Sequence, residues 1–444
     1  MPQYDEEMNK RREKREALRK KRQAEQRRLK LALIFAAVVL VLCGFGIYKI
    51  AKNAGAKPGA VVSQPVPQAT QPRETEPVET TTPRRDAPTT IHIRAAGDLN
   101  ITNSVINAGI VPNGFNFTNA FVDVAPLMAE ADLTVLNFEG NIFGQDYGTE
   151  TVAAPQEILN SLRSMGVDLI QTANSCSISN GLMGLSSTLS AVRNAGLIPL
   201  GSYSTVEEFR QSKGYTICEV QGIKIAFVAF TKGVGGMGMP AGNEDCVNLL
   251  YTDYDSTYKK VDKEGINSIL DAVNKEEPDV TIAMLHWGSE FNEAISDTQK
   301  DIVSLMKKKG VDVIIGTHPH LVQKVEYDKL AGTLVAYSLG DFFGDGTRGG
   351  TNYSIILDVE ITKDPLAETT KVTGFDYIPI YTLQATDSQG DYSYNRVVRI
   401  REAMLAYENN FVDKISKAAY DSMDYALKRI EARVNGEDET TQKK

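Results

Sequence analysis

The sequence predicts an α/β domain that follows one transmembrane helix. From Ile91 onward, short apolar runs ending in polar or glycine residues alternate with amphipathic stretches, as strands and helices alternate in α/β proteins. Before this region, residues 31–48 read "LALIFAAVVLVLCGFGIY" and carry no charge. The chain of 444 residues, 42% of them hydrophobic, is long enough to bury a large core.

Residues 1–30 are strongly basic and residues 31–48 are long enough to span a bilayer, at about 27 Å as a helix. A cleaved signal peptide or a buried core helix is less favoured, because no small-residue cleavage site clearly follows and the apolar run exceeds that of a usual signal peptide. The Lys/Arg excess places residues 1–30 in the cytoplasm. We therefore expect a single-pass cell-membrane protein whose main domain is extracellular.

Residues 51–89 are rich in Pro, Thr, Gln and Glu, which predicts a disordered stalk. The net charge of -9 includes the basic N-terminal segment, so the rest of the chain is more acidic than this total. An acidic main domain repels the phosphate backbone of nucleic acids, so we predict no nucleic-acid partner. Cys176, Cys218 and Cys246 match no zinc motif, and their odd number indicates no disulfide framework.

The main domain is predicted to cover residues 90–385. Its predicted strands are "IHIRAAGD", "LTVLNFEG", "VDLIQTAN", "VTIAMLHWG", "VDVIIGTHPH" and "LVAYSLGDF". The predicted helices include "FVDVAPLMAEA", "PQEILNSLRSMG", "STLSAVRNAG" and "TQKDIVSLMKKKG", the last closed by Gly310. A β-hairpin turning at Gln221 and Gly222 makes the sheet system mixed. Residues 386–444 are predicted to be helical, with an apolar packing stripe from Val412 to Val434.

Polar side chains follow several of these strands, and the carboxyl ends of strands are where α/β sheets bind ligands. The candidate metal ligands are Asp98, Glu139, Asn174, His286, His318 and His320. This mixed oxygen and nitrogen set suits divalent Mn, Zn or Fe. A carboxylate able to bridge would allow two metals about 4 Å apart, which would polarise an ester and supply hydroxide at neutral pH.

Each candidate also has a structural interpretation. His92 lies inside a strand pattern and is predicted to be an ordinary strand residue. His286 fits a ligand or a buried histidine equally well. Asp98 and Glu139 could cap helix N-termini, and Asp341 and Asp345 could be turn residues.

The order of "AAGD", "ADLTVLNFEG", "MLHWGSEF", "GVDVIIGTHPHLVQKVE" and "VAYSLGDFF" resembles the CapA, or poly-γ-glutamate capsule biosynthesis, family, whose fold is related to calcineurin-like metallophosphatases. The resemblance covers Ile91 to Leu383. It implies a metallophosphatase-like sandwich of two mixed β-sheets flanked by helices. It also implies a role in making an anionic surface polymer, with that polymer or its precursor and membrane-bound synthesis subunits as partners.

One motif departs from the family pattern, which usually reads Asn-Asn-His with Asp three residues later. Here "NSCSIS" keeps Asn174 but has Ser175, Cys176 and Ser179 at the other positions. In the related phosphatases the His acts on the substrate oxygen, and a neutral Cys is a poorer acid, although a thiolate could join the metal. Asp341 stands where the family usually has Asn.

Two functions therefore stay open at this point. The first is a metal-dependent phosphoesterase-like hydrolase. Its predicted catalytic residues are His286, His318, Asn137 and Cys176. The second is a decayed metallophosphatase fold that acts as a polymer-binding or scaffolding subunit.

Overall fold

The computed structural model describes residues 87–386, 392–410 and 415–437. The predicted cytoplasmic segment, the predicted span and nearly all of the predicted stalk lie outside these residues. Within the described ranges, no helix combines the length and hydropathy that crossing a membrane requires. The membrane anchor and the stalk therefore remain predictions.

Two large sheets and one small ribbon contain the strands of the described residues. In chain order the strands are β1 (Thr89–Asn100), β2 (Ile110–Val111), β3 (Gly114–Phe115), β4 (Leu133–Glu139), β5 (Leu169–Gln171), β6 (Ile198–Leu200), β7 (Tyr215–Val220), β8 (Ile223–Thr231), β9 (Val280–His286), β10 (Val313–Thr317), β11 (Val325–Asp328), β12 (Thr333–Ala336), β13 (Asp341–Phe343), β14 (Tyr353–Asp364), β15 (Thr369–Thr386) and β16 (Tyr392–Arg399).

The first sheet has the order β16-β15-β14-β1-β4-β5-β6, and β13 also pairs with β1. The second sheet has the order β11-β12-β10-β9-β8-β7. Four neighbouring strands are parallel in each sheet: β1, β4, β5 and β6 in the first, and β12, β10, β9 and β8 in the second. The remaining strands of the two orders pair antiparallel, so both sheets are mixed, as predicted.

Helices connect and cover the sheets. They are α1 (Asn103–Ala108), α2 (Thr118–Phe121), α3 (Ala125–Ala129), α4 (Glu157–Ser164), α5 (Gly181–Asn194), α6 (Val206–Ser212), α7 (Lys263–Asn274), α8 (Asp297–Lys308), α9 (Ile400–Glu408) and α10 (Lys417–Asn435). The predicted stop of α8 is confirmed, because Gly310 has a φ of +83° and Val311 N–H returns to the Met306 carbonyl at 3.1 Å. The predicted hairpin joins β7 to β8, with positive φ at Gln221 and Gly222.

The main core lies between the two sheets. Ile93 of β1 and Leu357 of β14 belong to the same buried cluster as Phe227 of β8 and Ile282 of β9. The clusters on the outer faces contain helix residues, so the predicted sandwich flanked by helices is confirmed. The described part of the C-terminal stripe also packs on the core, through Met423, Ile430 and Val434 among others.

Four aspartates, here called the clamp aspartates, join neighbouring parallel strands where the strands begin. Each directly precedes or adjoins the start of one strand, donates its own N–H to a carbonyl of the neighbouring strand, and accepts an N–H from that same residue. The clamp aspartates are Asp132, Asp168, Asp279 and Asp312, and their side chains accept from His92, Thr134, Lys224 and Thr281 at 2.8, 3.0, 2.7 and 2.8 Å. Two clamps lie in each sheet, so both sheets are ordered at this end by the same device.

The predicted strand "LVAYSLGDF" is wrong as one element. It forms β12 in the second sheet and β13 in the first, and the segment between them crosses from sheet to sheet. This crossing requires glycine on both sides, because a Cβ on Gly97 would lie 1.8 Å from the Gly340 carbonyl oxygen and one on Gly316 would lie 1.9 Å from that of Tyr337. The crossing places Asp341 beside Asp98 in register.

The prediction that residues 386–444 are wholly helical is also wrong. Residues 392–399 form β16, which pairs antiparallel with β15 at the edge of the first sheet. The apolar stripe that predicted a helix begins only at Val412, and the residues before it pair as a strand with β15 instead. Helix begins only at Ile400.

Candidate metal centre

The side chains predicted from the strand ends converge at the carboxyl ends of the two sheets. The first sheet supplies the oxygen donors and amides, and the second supplies the histidines. The converging residues, each no more than 5% exposed, are Asp98, Asn137, Glu139, Asn174, His286, His318 and His320. A hydrogen bond of 3.0 Å from the His318 N–H to Asp98 Oδ2 joins the two sheets at this point.

Glu139 lies at the centre of the group. It belongs to two buried clusters whose ligand atoms lie within 4.8 Å of one another, one with His286 and His318 and one with Asp98 and His320. Its Oε1 is 3.1 Å from His286 Nε2, and its Oε2 is 3.8 Å from His320 Nε2. One carboxylate thus reaches both clusters, which is the arrangement expected of a bridging ligand.

Two of the histidines are oriented through their Nδ1 atoms. His286 Nδ1 is 3.0 Å from Thr317 Oγ1, and His320 Nδ1 is 2.7 Å from Asp341 Oδ1. Both Nε2 atoms are thereby left toward Glu139. Metal-binding histidines are commonly held in this way, by a hydroxyl or carboxylate on the nitrogen that does not bind.

The turn that carries His318 and His320 has an uncommon backbone. Both residues have positive φ, +93° and +58°, a region that non-glycine residues seldom adopt. Phe291 donates its N–H to the Pro319 carbonyl at 2.9 Å, and its ring stacks on His320 at 5.2 Å between centroids. The fold thus holds a strained turn in place so that both rings point into one site.

Burial and the crowding of like charges dominate the electrostatics. Burial raises the pKa of Asp98 and of Glu139, and for Asp98 the neighbouring Glu139 adds to the effect. Burial likewise raises the pKa of Asp341 to about 7. Three buried carboxyl groups with raised pKa values make the site short of positive charge, and a bound cation would supply it.

The histidines divide into two types. Burial lowers the pKa of His286 to about 3 and that of His318 well below its usual value, so both rings are neutral and have a lone pair to offer. Burial also disfavours the charged form of His320, but neighbouring carboxylates, Asp341 first, outweigh it and raise the pKa of this ring well above its usual value.

The two asparagines mainly bind other protein groups. Asn137 donates to Asp98 Oδ1 at 2.6 Å and accepts from Asn174 at 3.0 Å. Asn174 also donates to the Phe138 carbonyl, and its oxygen accepts the Cys176 N–H at 2.9 Å. As placed, Asn174 holds the loop after β5 against β4, and its role as a ligand stays a prediction.

The residues that depart from the family pattern lie beside the histidines. Ser175 Oγ is 3.0 Å from His286 Nε2 and 3.5 Å from His318 Nδ1. Burial and the charge of Glu139 raise the pKa of the Cys176 thiol well above its usual value, and Ser179 hydrogen bonds to it. A neutral thiol is neither a strong metal ligand nor a ready proton donor.

The structure also assigns the histidine and the aspartates for which the sequence allows a purely structural role. His92 lies in β1 and contacts Asp358 at 2.8 Å, away from the cluster. Asp345 accepts the Thr347 N–H as a turn residue, whereas Asp341 is part of the site. Neither Asp98 nor Glu139 caps a helix, and Thr102 is the N-cap of α1.

The structure adds three site residues that sequence reasoning did not assign: Ser175, Thr317 and Lys232. Thr317 directly precedes the histidine turn, so its position at the end of β10 was a usable signal. Lys232 directly follows β8, whose last residue, Thr231, pairs in register with His286, the last residue of β9. It was missed because a lone lysine after a strand does not suggest a metal site.

The site therefore belongs to a two-sheet α/β protein with a buried carboxylate and histidine cluster suited to metal ions. Residues 92–345 match the family model described as "Bacterial capsule synthesis protein PGA_cap". This match covers more than half of the chain, and the chain belongs to that family.

Curated relatives agree with this assignment. The chain is 24% identical over 301 residues to the "PGA biosynthesis protein CapA" of Bacillus subtilis (strain 168), covering 66% of this chain and 73% of that protein. It is 25% identical over 243 residues to the "Capsule biosynthesis protein CapA" of Bacillus anthracis, covering 53% of this chain and 56% of that protein.

Solved structures of phosphatases are also similar in part. The calcineurin-like phosphoesterase YfkN from Bacillus subtilis has 16% identity and a TM-score of 0.40, with 77% of this chain and 100% of that chain covered. A phosphatase from Mycoplasma pneumoniae has 14% identity and a TM-score of 0.41, with 66% and 94% covered.

Proposed function

We propose that this protein acts in the biosynthesis of an anionic surface polymer, such as poly-γ-glutamate, through a metal-dependent phosphoesterase-type site. Its similarity to the Bacillus CapA proteins of capsule biosynthesis supports the capsule role. The observation that carries the chemistry is the position of Glu139, whose two oxygens face two separate histidine-containing clusters.

The donor set fits divalent Mn, Zn or Fe, two ions in all. Glu139, His286 and His318 would hold one ion, and Asp98, Glu139 and His320 the other. When bound, such ions polarise a phosphoester and lower the pKa of a bound water. His320 is protonated in the absence of a cation, so metal binding there would release a proton, and Asp341 would keep Nδ1 as the protonated nitrogen.

The chain's own residues then orient the reacting groups. Asn137 fixes Asp98 through a 2.6 Å hydrogen bond and is also 3.3 Å from His286 Nδ1. Ser175 presents its hydroxyl between the His286 and His318 rings, where a substrate oxygen would approach. Proton delivery to a leaving group would fall to water or Ser175, because Cys176 is a weak acid.

The predicted anchor fits this function. A span at residues 31–48 with basic residues on its N-terminal side would place the domain outside the cell membrane, and the stalk would hold it away from the bilayer. There it would meet a surface polymer or its precursor, together with membrane-bound synthesis subunits.

One observation favours a second function. Ser175, Cys176 and Ser179 replace the residues that the family usually has around the substrate, and the thiol is neutral. A site that binds metal without turning over substrate would make the protein a polymer-binding or scaffolding subunit.

Hydrolysis of p-nitrophenyl phosphate and bis(p-nitrophenyl) phosphate by the full-length chain distinguishes the enzyme from the scaffolding subunit. The protein is loaded with Mn, Zn or Fe, and His286→Gln is compared with His92→Gln, a matched change outside the site. Metal-dependent hydrolysis that only His286→Gln abolishes is the expected result. Bound metal without hydrolysis of either probe would overturn the enzyme and leave the scaffold.

A further inference from the structure

A cavity of about 470 Å³ opens beside the candidate metal centre. Ser175 and His318 form the part of its lining that faces the metal ligands, and Lys232, Tyr258 and Glu290 line it further out, together with the glycines of residues 233–236. Lys232 is the cation in this lining. Any substrate group that enters the cavity to reach the histidines would pass its ammonium.

Lys232 is fixed at this position from its backbone to its tip. Its N–H donates to the His286 carbonyl at 2.7 Å, which ties the end of β8 to the end of β9. Its Nζ donates to the Gly288 carbonyl at 2.7 Å and lies 4.6 Å from the centre of the Tyr258 ring. A lysine held at both ends loses less rotamer entropy when it binds a ligand than a free surface lysine does.

The ammonium has spare capacity to bind an anion. An ammonium has three N–H donors, and one of them binds Gly288. Among the described residues, no carboxylate forms a salt bridge with Lys232; burial lowers its pKa, and the charge of Glu290 in the same cavity partly offsets this effect. Lys232 and His318 line the same cavity, so an anion held by the ammonium would lie near the metal-ligand histidines.

Two glycines keep the space around Lys232 open. A Cβ on Gly233 would lie 2.5 Å from the Tyr254 carbonyl oxygen and 2.9 Å from Tyr258 Cε1, so a side chain there would displace the ring that Lys232 contacts. Gly235 has a φ of +69°, and a Cβ on it would lie 3.1 Å from the Ser175 carbonyl oxygen. The glycine segment therefore forms a close wall that leaves room beside Ser175.

We propose that Lys232 is the substrate-recognition residue of this cavity and binds a carboxylate or phosphoryl oxygen of an anionic substrate. The proposal rests on the proposed function, because it takes the substrate's reacting group to lie over Ser175 and His318. A fixed cation also explains how an anion could approach a centre whose other charged groups are mainly carboxylates. The charge of Lys232 and of the bound ions would together offset that repulsion.

Calorimetry of inorganic phosphate and of succinate binding to the full-length chain tests whether Lys232 binds the anion. Lys232→Met removes the charge, Lys232→Arg keeps it, and Lys308→Met is the control at an exposed lysine in the last turn of α8. Metal content is measured on every sample. We expect Lys232→Met to lower the affinity for one or both anions at least about tenfold, with unchanged metal content. Lys232→Arg should keep most of the affinity, and Lys308→Met all of it.

The anion that responds identifies the source: phosphate alone indicates a phosphoryl group, and succinate alone a carboxylate. Equal binding by Lys232→Met and the unchanged chain, or no binding of either anion by the unchanged chain, would overturn the proposal. A chain that holds no metal but loses anion binding in Lys232→Met would contradict the proposed metal chemistry and keep Lys232 as the anion-binding residue.

Discussion

The two ends of the same sheets both carry aspartates, and they use them in opposite ways. Where the strands begin, each clamp aspartate has a backbone N–H of the neighbouring strand as its own partner. At the other end, Asp98 near the end of β1, Glu139 at the end of β4 and Asp341 at the start of β13 surround His320, with carboxylate oxygens 3.7, 3.8 and 2.7 Å from its ring nitrogens. The second arrangement has no such donor for each acid, and burial raises the pKa of all three carboxyl groups.

The difference shows what position along a strand means for an acidic residue. An acid before a strand meets the free N–H groups at the beginning of its neighbour, which accept a carboxylate. An acid at or near the carboxyl end of a strand, such as Asp98 or Glu139, lies in the crevice between the sheets, and the crossing between the sheets brings Asp341 beside them. The site is therefore expected to cost folding stability, and a clamp that also binds a cation, as Asp279 binds Lys363, to add to it.

Glu139→Gln should have the largest effect and should change metal binding and stability in opposite directions. Because both clusters share Glu139, we expect metal affinity to fall by more than the roughly 10 to 100-fold that loss of a supporting residue causes. Stability of the metal-free chain should rise, since one of three crowded carboxylates is removed. Elemental analysis and urea unfolding measure the two, with Glu150→Gln as the exposed control. Full metal content in Glu139→Gln would contradict the bridging role.

Cys176→His should raise any phosphoesterase activity by about 10 to 100-fold, because it restores the acid that the family usually has at this position. Cys176→Ser is the matched control, since it has the size of the thiol without the acid strength of an imidazole. The measurement is the hydrolysis rate of p-nitrophenyl phosphate at saturating metal. Equal rates in all three chains would remove Cys176 from the account of catalysis.

Asp279→Ala should lower the free energy of unfolding by about 2 kcal/mol without affecting metal content, because Lys224, Lys363 and Thr370 all lose an acceptor. Burial opposes ionisation of Asp279, but the Lys224 N–H and Lys363 outweigh it and lower its pKa. The stabilisation is therefore present above the ordinary value of 3.8 and is lost as the pH falls through the lower, folded value. Urea unfolding at several pH values measures this, and a constant deficit down to pH ~2 would contradict it.

Asp312→Asn should give the smallest effect, and of the opposite sign. Burial raises the pKa of Asp312 to about 6, and no cation lies within 4 Å of it among the described residues. Its ionised form therefore costs stability above that pH, while an asparagine oxygen can still accept the Thr281 N–H. We expect a gain of about 1 kcal/mol at pH 7 that fades as the pH falls toward 4. A variant less stable at pH 7 would show that this clamp, too, needs its charge.

Much of the fold and of the candidate site could be predicted from local sequence, because the buried strands and the polar residues at their ends are contiguous in the chain. His286, His318 and His320 were placed at strand ends in this way. The crossing between β12 and β13 could not be predicted, since it depends on Gly97 and Gly316, which are distant in sequence. Local sequence likewise does not show that Asp341 pairs with Asp98, or that residues 392–399 pair with β15, because both pairings join residues that are distant in the chain or in different elements.

Elemental analysis of the full-length chain after growth with Zn, Mn and Fe tests the central claim most directly. The comparison is with the double variant His318→Ala and His320→Ala, and with Asp279→Asn as a change at the opposite end of the sheets. The account predicts about two metals per chain in the unchanged protein and in Asp279→Asn, and almost none in the double variant. No metal in any of the three would contradict it.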